Sequence, residues 1–320
     1  SFAKDFMARH CIPTAKYKTA VSAAEAAQLL DSGAFGDEHT PVVIKADGLA
    51  AGKGVVVAAD HAQAKSALDD LENVAGKEAA AKIVLEECLT GREVSLILFT
   101  DGKNFALMPP SRDHKRIGEG DTGANTGGMG TITDARLLDR RQTAEIIEKI
   151  IEPTLKGAEQ EGFPIRGILF LGLMMTADGA QLLEYNVRFG DPETQVILVR
   201  LKTDLIEICE AVLAQNLADI NIEWTAGNSA CIVLAAQGYP QKPRTGDVIS
   251  GLESADAIKD VTVFHAGTSK NDENKFITAG GRVLGITATG ENLSEALHKA
   301  YQAVSEIDWD GMQFRRDIGR

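Results

Sequence analysis

Long apolar runs are missing from this 320-residue sequence. The longest, Ile168–Met175, falls far below the roughly 20 residues that a membrane-spanning helix needs. No charged stretch followed by an apolar core and a cleavage site opens the chain, so no secretory leader is read there. Cationic side chains are outnumbered, 33 Lys and Arg against 46 Asp and Glu, for a formal charge of -13. That balance excludes a non-specific nucleic-acid binder or a reader of anionic membranes, although a single pocket can still take an anion. Cysteine is sparse: Cys11, Cys88, Cys209 and Cys231 lie far apart with no C-x-x-C pair. They read as free thiols of a cytoplasmic protein, not as a disulfide framework or a metal site. Two phosphate-binding signatures are absent as well. Lys53 is followed by Gly54 and a β-branched run instead of Ser or Thr and a helix, so there is no Walker A loop, and no G-x-G-x-x-G opens a helix. Internal repeats and low-complexity tracts are also lacking. The length allows two or three domains with a substantial core.

What is present is organised around Leu182–Gln195, LLEYNVRFGDPETQ. A strand is predicted over Gln181–Val187, ending in a glycine turn at Gly190. Strand alternation would put Glu184, Asn186 and Arg188 on one face and Leu183, Tyr185 and Val187 on the other. A carboxylate and an amide carbonyl are hard oxygen donors suited to Mg²⁺, which completes its shell with water and substrate phosphates. The arginine can grip a carboxylate or phosphate through two parallel hydrogen bonds. Taken alone, E-x-N-x-R also fits a polar strand edge meeting a turn.

Upstream, the spacing predicts a helix over Phe2–His10, a strand over Thr14–Thr19 and a helix over Ala23–Asp31. Pro41–Asp60, PVVIKADGLAAGKGVVVAAD, reads as strand, glycine loop, strand. Gly48, Gly52 and Gly54 allow backbone N–H groups to approach an anion, and Lys45 and Lys53 add two ammonium groups. A hairpin lid over a nucleotide and a plain glycine hairpin both fit. A helix over His61–Asn73 leads to a strand, Ala81–Glu87, then a hinge near Glu86–Leu89 and a strand over Glu93–Thr100. Such a hinge can hold an adenine ring, with Glu86 and Glu93 accepting from ribose hydroxyls. The same carboxylates also fit exposed strand ends.

Pro109–Gly130 holds six glycines and two prolines, which predicts an irregular functional loop without helix or strand. Arg112, Asp113, His114, Lys115 and Arg116, followed by Asn125 and Thr126 before Gly127-Gly128-Met129-Gly130, read as an anionic-substrate site or a solvated loop. Arg136–Glu161 is predicted as a long amphipathic helix bent near Pro153, and Gly167–Thr176 as a buried strand paired with the strand of Glu184. A helix is expected over Asp204–Gln215. Beyond about Ile222 come strands over Ser229–Ala236, Val261–Ala266 and Gly281–Thr289 and a helix over Leu293–Ile307.

Together these segments resemble the ATP-grasp superfamily. More closely, IKADGLAAGKGVVVA (44–58), DHKRIGEGDTGANTGGMG (113–130), NVRFGDPETQ (186–195) and GGRVLGITATG (280–290) are similar to the phosphoribosylamine-glycine ligase, or glycinamide ribonucleotide synthetase, family across essentially the whole chain. The resemblance implies an α+β ATP-grasp fold, two α+β subdomains clasping ATP, with a small β-rich C-terminal domain. Residues 1–220 would form the ATP-grasp domain, with a lid at about 14–88, and residues 221–320 the C-terminal domain. It implies ATP and Mg²⁺ or Mn²⁺ as cofactors, glycine and 5-phosphoribosylamine as substrates, and neither nucleic acid nor membrane as partner. ATP binding would fall to Lys45, Gly48, Gly52, Lys53, Gly54, Glu86, Glu87, Leu89 and Glu93. The metal would fall to Glu184 and Asn186, and catalysis to Arg188 with Asp191 receiving the glycine ammonium. The amine substrate would meet Asp113, His114, Lys115, Asn125, Thr126, Gly127, Gly128 and Met129. A ligase for another acid and amine and an inactive nucleotide-binding fragment are the alternatives.

Two departures stand out. Members of the family begin with an additional N-terminal α/β domain and carry a phosphate-binding lysine just before the first helix, where this chain starts at Ser1. A truncated piece of a longer polypeptide, with weakened nucleotide binding, is therefore expected. Many ATP-grasp enzymes also carry an acidic metal ligand on the strand that Gly167–Thr176 occupies, which here has no carboxylate.

Overall fold

The computed structural model describes residues 1–48 and 54–320, so Gly52 and Lys53 of the expected lid lie outside the described residues. Contacts divide the chain into two units. The first is Ser1–Arg92, Ala144–Gly157 and Leu173–Glu184; the second is Glu93–Thr143, Ala158–Gly172 and Tyr185–Arg320.

The first unit opens with α1 (Phe2–Arg9), β1 (Tyr17–Ala20), α2 (Ala23–Asp31), β2 (Val42–Ala46), β3 (Val55–Ala58), α3 (His61–Ala75), α4 (Lys77–Ala80) and β4 (Ile83–Glu87). The strands form one antiparallel sheet in the order β1-β4-β2-β3, with Ile44 opposite both Leu85 and Val56. Its core joins Val42, Ile44, Ile83 and Leu85 to Ala26 and Leu30 of α2 and Leu68 and Leu71 of α3. The helices start where the sequence supplies reciprocal caps. Ser22 accepts from Glu25 N–H at 3.1 Å while the Glu25 carboxylate accepts from Val21 N–H at 2.8 Å. Asp60 and Gln63 do the same for α3.

The chain continues through β5 (Arg92–Thr100), β6 (Phe105–Leu107), β7 (Ser111–Asp113), β8 (Arg116–Gly118), β9 (Thr122–Asn125) and β10 (Gly130–Thr133). Pro109–Gly130 is therefore not the strand-free loop that its glycines predict. Gly120 and Gly123, both at positive φ, sit in and beside a turn that folds β8 back on β9, so glycine here builds a hairpin instead of preventing one. The helix predicted from Arg136 also starts later. Asp139 and Gln142 form another reciprocal cap, at 2.8 and 3.0 Å, so α5 runs Arg140–Ile146. It widens into a π-helical stretch at Ile147–Ile151 before α6 (Glu152–Gln160), because Pro153 has no N–H to close the regular ladder.

Strands β11 (Gly167–Thr176) and β12 (Gly179–Asn186) follow, joined by a tight turn in which Thr176 Oγ1 donates to Gly179 O at 2.9 Å. A short helix that the sequence reading missed, α7 (Glu193–Leu198), precedes α8 (Leu205–Ala214). The remaining elements are β13 (Asn228–Ala235), α9 (Leu252–Asp256), β14 (Val261–His265), β15 (Thr268–Lys270), β16 (Phe276–Thr278), β17 (Arg282–Gly290) and α10 (Leu293–Glu306).

Within the second unit the strands run β5-β7-β10-β13-β17-β14, with β6 on β5. One ladder joins residues from both sides of the boundary expected near residue 220: Gly130 to Thr133 pair with Ile232 to Ser229. Strand β13 is buried on both faces, which explains its unbroken apolar run. Ile232 and Leu234 enter the core under α10, and Cys231 enters the core with Ile97, Phe99, Val196 and Ile208. Among the described residues no helix is long and apolar enough to cross a membrane.

Candidate functional site

In the first unit the expected cation of β2 is held by a buried carboxylate. Glu86, at the end of β4, is 2% exposed and lies 2.9 Å from Lys45 Nζ through Oε1 and 2.8 Å from Lys4 Nζ through Oε2. As a carboxylate at a strand end, Glu86 is expected to accept from ribose hydroxyls. The structure buries it between two ammonium groups. Lys4 is itself buried and also donates to Thr14 Oγ1 at 2.7 Å, and Thr14 donates to Leu182 O at 2.6 Å. Burial pulls the Lys4 ammonium below its usual pKa, an effect opposed by the charge of Glu86. Lys4 was missed in the sequence, although its place three residues before buried Met7 puts it on the inner face of α1. Glu87 is exposed and accepts from Lys16 N–H at 2.7 Å, and Leu89 is half-buried beyond β4. Gly48 and Gly54 flank the undescribed stretch.

Strand β12 carries both expected metal donors on its even-numbered face. Ala180 and Leu182 are buried there, Glu184 is exposed and Asn186 half-buried. The strand ends at Asn186, so Arg188 does not continue the same face as alternation predicted. The chain bends at 187–188, and Val187 is 75% exposed, unlike half-buried Leu183 and Tyr185. The bend still returns the guanidinium towards the amide: Arg188 Nη2 lies 3.4 Å from Asn186 Oδ1, and Nη1 donates to Phe189 O at 2.7 Å. A carboxylate and an amide carbonyl two residues apart suit a hard divalent ion that keeps most of its shell as water and phosphate. The donor set therefore fits.

The turn after Arg188 and the 113–130 segment meet in the second unit. Asp191, which precedes a cis proline, has both carboxylate oxygens engaged. Arg282 Nη2 donates to Oδ2 at 2.7 Å and Gln195 Nε2 to Oδ1 at 2.9 Å. Arg282 Nη1 also donates to Asp191 O at 2.9 Å and to Gly127 O. On the other side of that residue, Gly127 N–H donates to Tyr239 Oη at 3.0 Å. Asp113 accepts from Thr131 Oγ1 at 3.2 Å, and buried Glu193 accepts from Ser95 Oγ at 3.1 Å. Neither carboxylate has an ion-pair partner among the described residues. Burial raises the pKa of both, and the negative charge of Glu193 raises that of Asp113 further. Two expected residues pair directly: Lys115 Nζ lies 2.8 Å from Glu93.

Three residues expected to meet substrate are buried or hydrogen-bonded within the protein. Met129 is fully buried. Thr126 Oγ1 donates to Lys115 O and accepts from Gly128 N–H, at 2.8 and 3.0 Å. His114 is buried, with Nδ1 3.0 Å from Gly130 O and Nε2 3.1 Å from Gly319 N and from Arg112 Nη2. A carbonyl on one nitrogen and N–H donors on the other leave only the neutral Nδ1–H tautomer, and burial lowers the imidazole pKa to about 4. Asn125 is exposed at the end of β9, opposite Arg116. The hairpin is buckled to the C-terminal residues through Arg315, only 2% exposed. Its guanidinium reaches Asp317 at 2.8 Å and Asp121 at 2.7 Å, and Asp317 accepts from Gly120 N–H at 2.8 Å.

The family model for phosphoribosylglycinamide synthetase, ATP-grasp (A) domain, matches residues 1–194, and that for phosphoribosylglycinamide synthetase, C domain, matches residues 229–320. The phosphoribosylamine-glycine ligase of Vibrio parahaemolyticus is 45% identical over 322 residues, covering 100% of this chain and 73% of the relative. That of Yersinia pestis is 46% identical over 323 residues, with 100% and 74% coverage. Among solved structures, phosphoribosylamine-glycine ligase from Thermotoga maritima superposes with a TM-score of 0.87 at 34% identity, covering 99% of this chain and 77% of that one. Biotin carboxylase from Campylobacter jejuni, at 17% identity and a TM-score of 0.71, covers 97% of this chain and 66% of its own and shares the fold.

Proposed function

We propose, from the premise that this chain belongs to the phosphoribosylglycinamide synthetase family, that it joins glycine to 5-phosphoribosylamine with cleavage of ATP to ADP and phosphate. As a member it is an ATP-dependent ligase with the ATP-grasp fold, acting in purine biosynthesis. The observation that carries the substrate assignment is 45% identity over 322 residues, a match that covers 100% of this chain.

A carboxylate does not condense with an amine in water, because its oxygen leaves poorly. In the proposed reaction a glycine carboxylate oxygen attacks the γ-phosphorus, the bond to ADP breaks and glycyl phosphate forms. The substrate amine nitrogen then attacks the acyl carbon, the carbon–oxygen bond breaks, phosphate departs with the electron pair, and the nitrogen loses a proton as the amide forms. Such transfers need positioning and charge neutralisation above all. Lys45, oriented by Glu86, neutralises phosphate charge. Glu184 and Asn186 would hold Mg²⁺ or Mn²⁺, which when bound would supply further neutralisation on the phosphates. Arg188, turned back beside Asn186, orients the glycine carboxylate. Asp191 has partners on both oxygens, so we move the ammonium-receiving role from it to the buried pair Asp113 and Glu193, where a cation relieves two buried carboxylates that burial pushes up in pKa.

In the intact native polypeptide, Glu184→Ala is expected to abolish ADP release that requires both glycine and the amine. Retained turnover refutes the metal assignment. Equal turnover of another small acid in place of glycine by the unsubstituted protein refutes the substrate.

A further inference from the structure

The proposed function leaves Arg282 without a task, yet the residue holds two separated turns at once. It opens β17, and its side chain is 22% exposed. One guanidinium nitrogen donates to Gly127 O and to Asp191 O, and the other donates to Asp191 Oδ2. The contact partners lie 155 and 91 residues away along the chain, so local secondary structure alone cannot make these bonds. Gly127 is built for the arrangement. A Cβ there would stand 3.0 Å from Arg282 Cζ, 3.2 Å from Nη2 and 3.3 Å from Nε, against the flat of the guanidinium. The neighbouring Gly281 does the same for the second clamp, since a Cβ on it would meet Tyr239 Cδ2 at 2.3 Å, and that ring's hydroxyl receives Gly127 N–H. Both backbone polar groups of one loop residue are therefore fixed by residues of the C-terminal segment. Arg282 fixes the carbonyl, and the same side chain fixes the turn that follows Arg188.

We propose that Arg282 is a positioning residue that keeps the Gly127 turn in register with the Arg188–Asp191 turn, so that the amine substrate reaches the acyl group before water does. The inference rests on the function proposed above, with glycine activated beside Arg188 and the amine met by the 113–130 segment. A planar fork binding a carboxylate oxygen and two carbonyls has no equivalent in a lysine ammonium, which is a point charge on a flexible stem. Loss of register misplaces the amine without removing any group that activates glycine. Unused acyl phosphate then takes up water: the acyl carbon–oxygen bond breaks, and glycine and phosphate are returned with ATP still consumed.

The test is the ratio of amide formed to ADP released in the intact native polypeptide. For the unsubstituted protein it should be one. For Arg282→Lys and Arg282→Ala it should fall about tenfold, with the KM values for ATP and glycine kept within about twofold. Added guanidinium ion should raise the ratio of Arg282→Ala and leave Arg282→Lys unchanged. Tyr239→Phe, which removes the acceptor of Gly127 N–H but leaves the ring, should lower the ratio by a smaller factor. If the Arg282 variants turn over slowly but keep one amide per ADP, or if they fail to fold and Tyr239→Phe keeps that ratio, the register role is overturned. If the unsubstituted protein releases no ADP that depends on glycine and the amine, the underlying function is what fails.

Discussion

His114 gives the sharpest quantitative prediction, because its hydrogen bonds fix its protonation state. In the folded protein Nδ1–H donates to Gly130 O and Nε2 accepts from Gly319 N–H, so a second proton has to break a buried bond. Burial sets the folded pKa at about 4 against an ordinary 6.5, so the folded state binds fewer protons than the unfolded chain between those values. The contribution to stability is accordingly complete above pH 6.5 and declines as pH falls towards 4. One pH unit in that window removes about 1.4 kcal/mol, so the loss at about pH 4.5 reaches about 2.5 kcal/mol. Urea unfolding of the native protein and of His114→Gln at neutral pH and at about pH 4.5 isolates this contribution, since the carboxylates shared by both proteins cancel in the difference. The variant is expected to start less stable and to lose about 2.5 kcal/mol less on acidification. Equal acid sensitivity in the two proteins would refute the neutral, doubly bonded imidazole.

Two other substitutions probe the buried charges. Glu86→Gln leaves Lys4 buried and uncompensated and should cost about 3 kcal/mol in a urea melt, while Lys4→Met combined with Glu86→Leu should recover most of it. The single substitution should also raise the KM for ATP by freeing Lys45. Arg315→Met strands Asp317 and the β8–β9 hairpin and should lower the melting temperature, with faster proteolysis within residues 116–125 than elsewhere; uniform protease sensitivity would show that the guanidinium does not secure that hairpin.

What could be read in advance follows the range of the interactions. Period-two alternation places Glu184 and Asn186 on one face of β12, and it fails at Arg188 because alternation holds only while the backbone stays extended. Caps such as Ser22 with Glu25 are local, so helix Ala23–Asp31 was legible to the residue. The cap at Asp139 was equally local, and it went unread because the apolar periodicity of the helix masked it. Glycine in 118–130 signalled irregularity when the positive φ values at Gly120 and Gly123 were turning a hairpin. Arg282, Tyr239 and Arg315 act on segments more than ninety residues away, and nothing in their immediate neighbours announces that. Asp191 is expected to receive the glycine ammonium, and its partner Arg282, 91 residues away, cannot be inferred without the fold.

The mating of Gly130–Thr133 with Ser229–Ile232 bears on how such a chain can be taken apart. Severed near residue 220, the leading piece would keep a raw seam of unclaimed amides and carbonyls along its central sheet, and such seams attract whatever extended chain drifts past. The trailing piece is thus less an appendage than the missing plank of the floor on which the Gly127 turn rests.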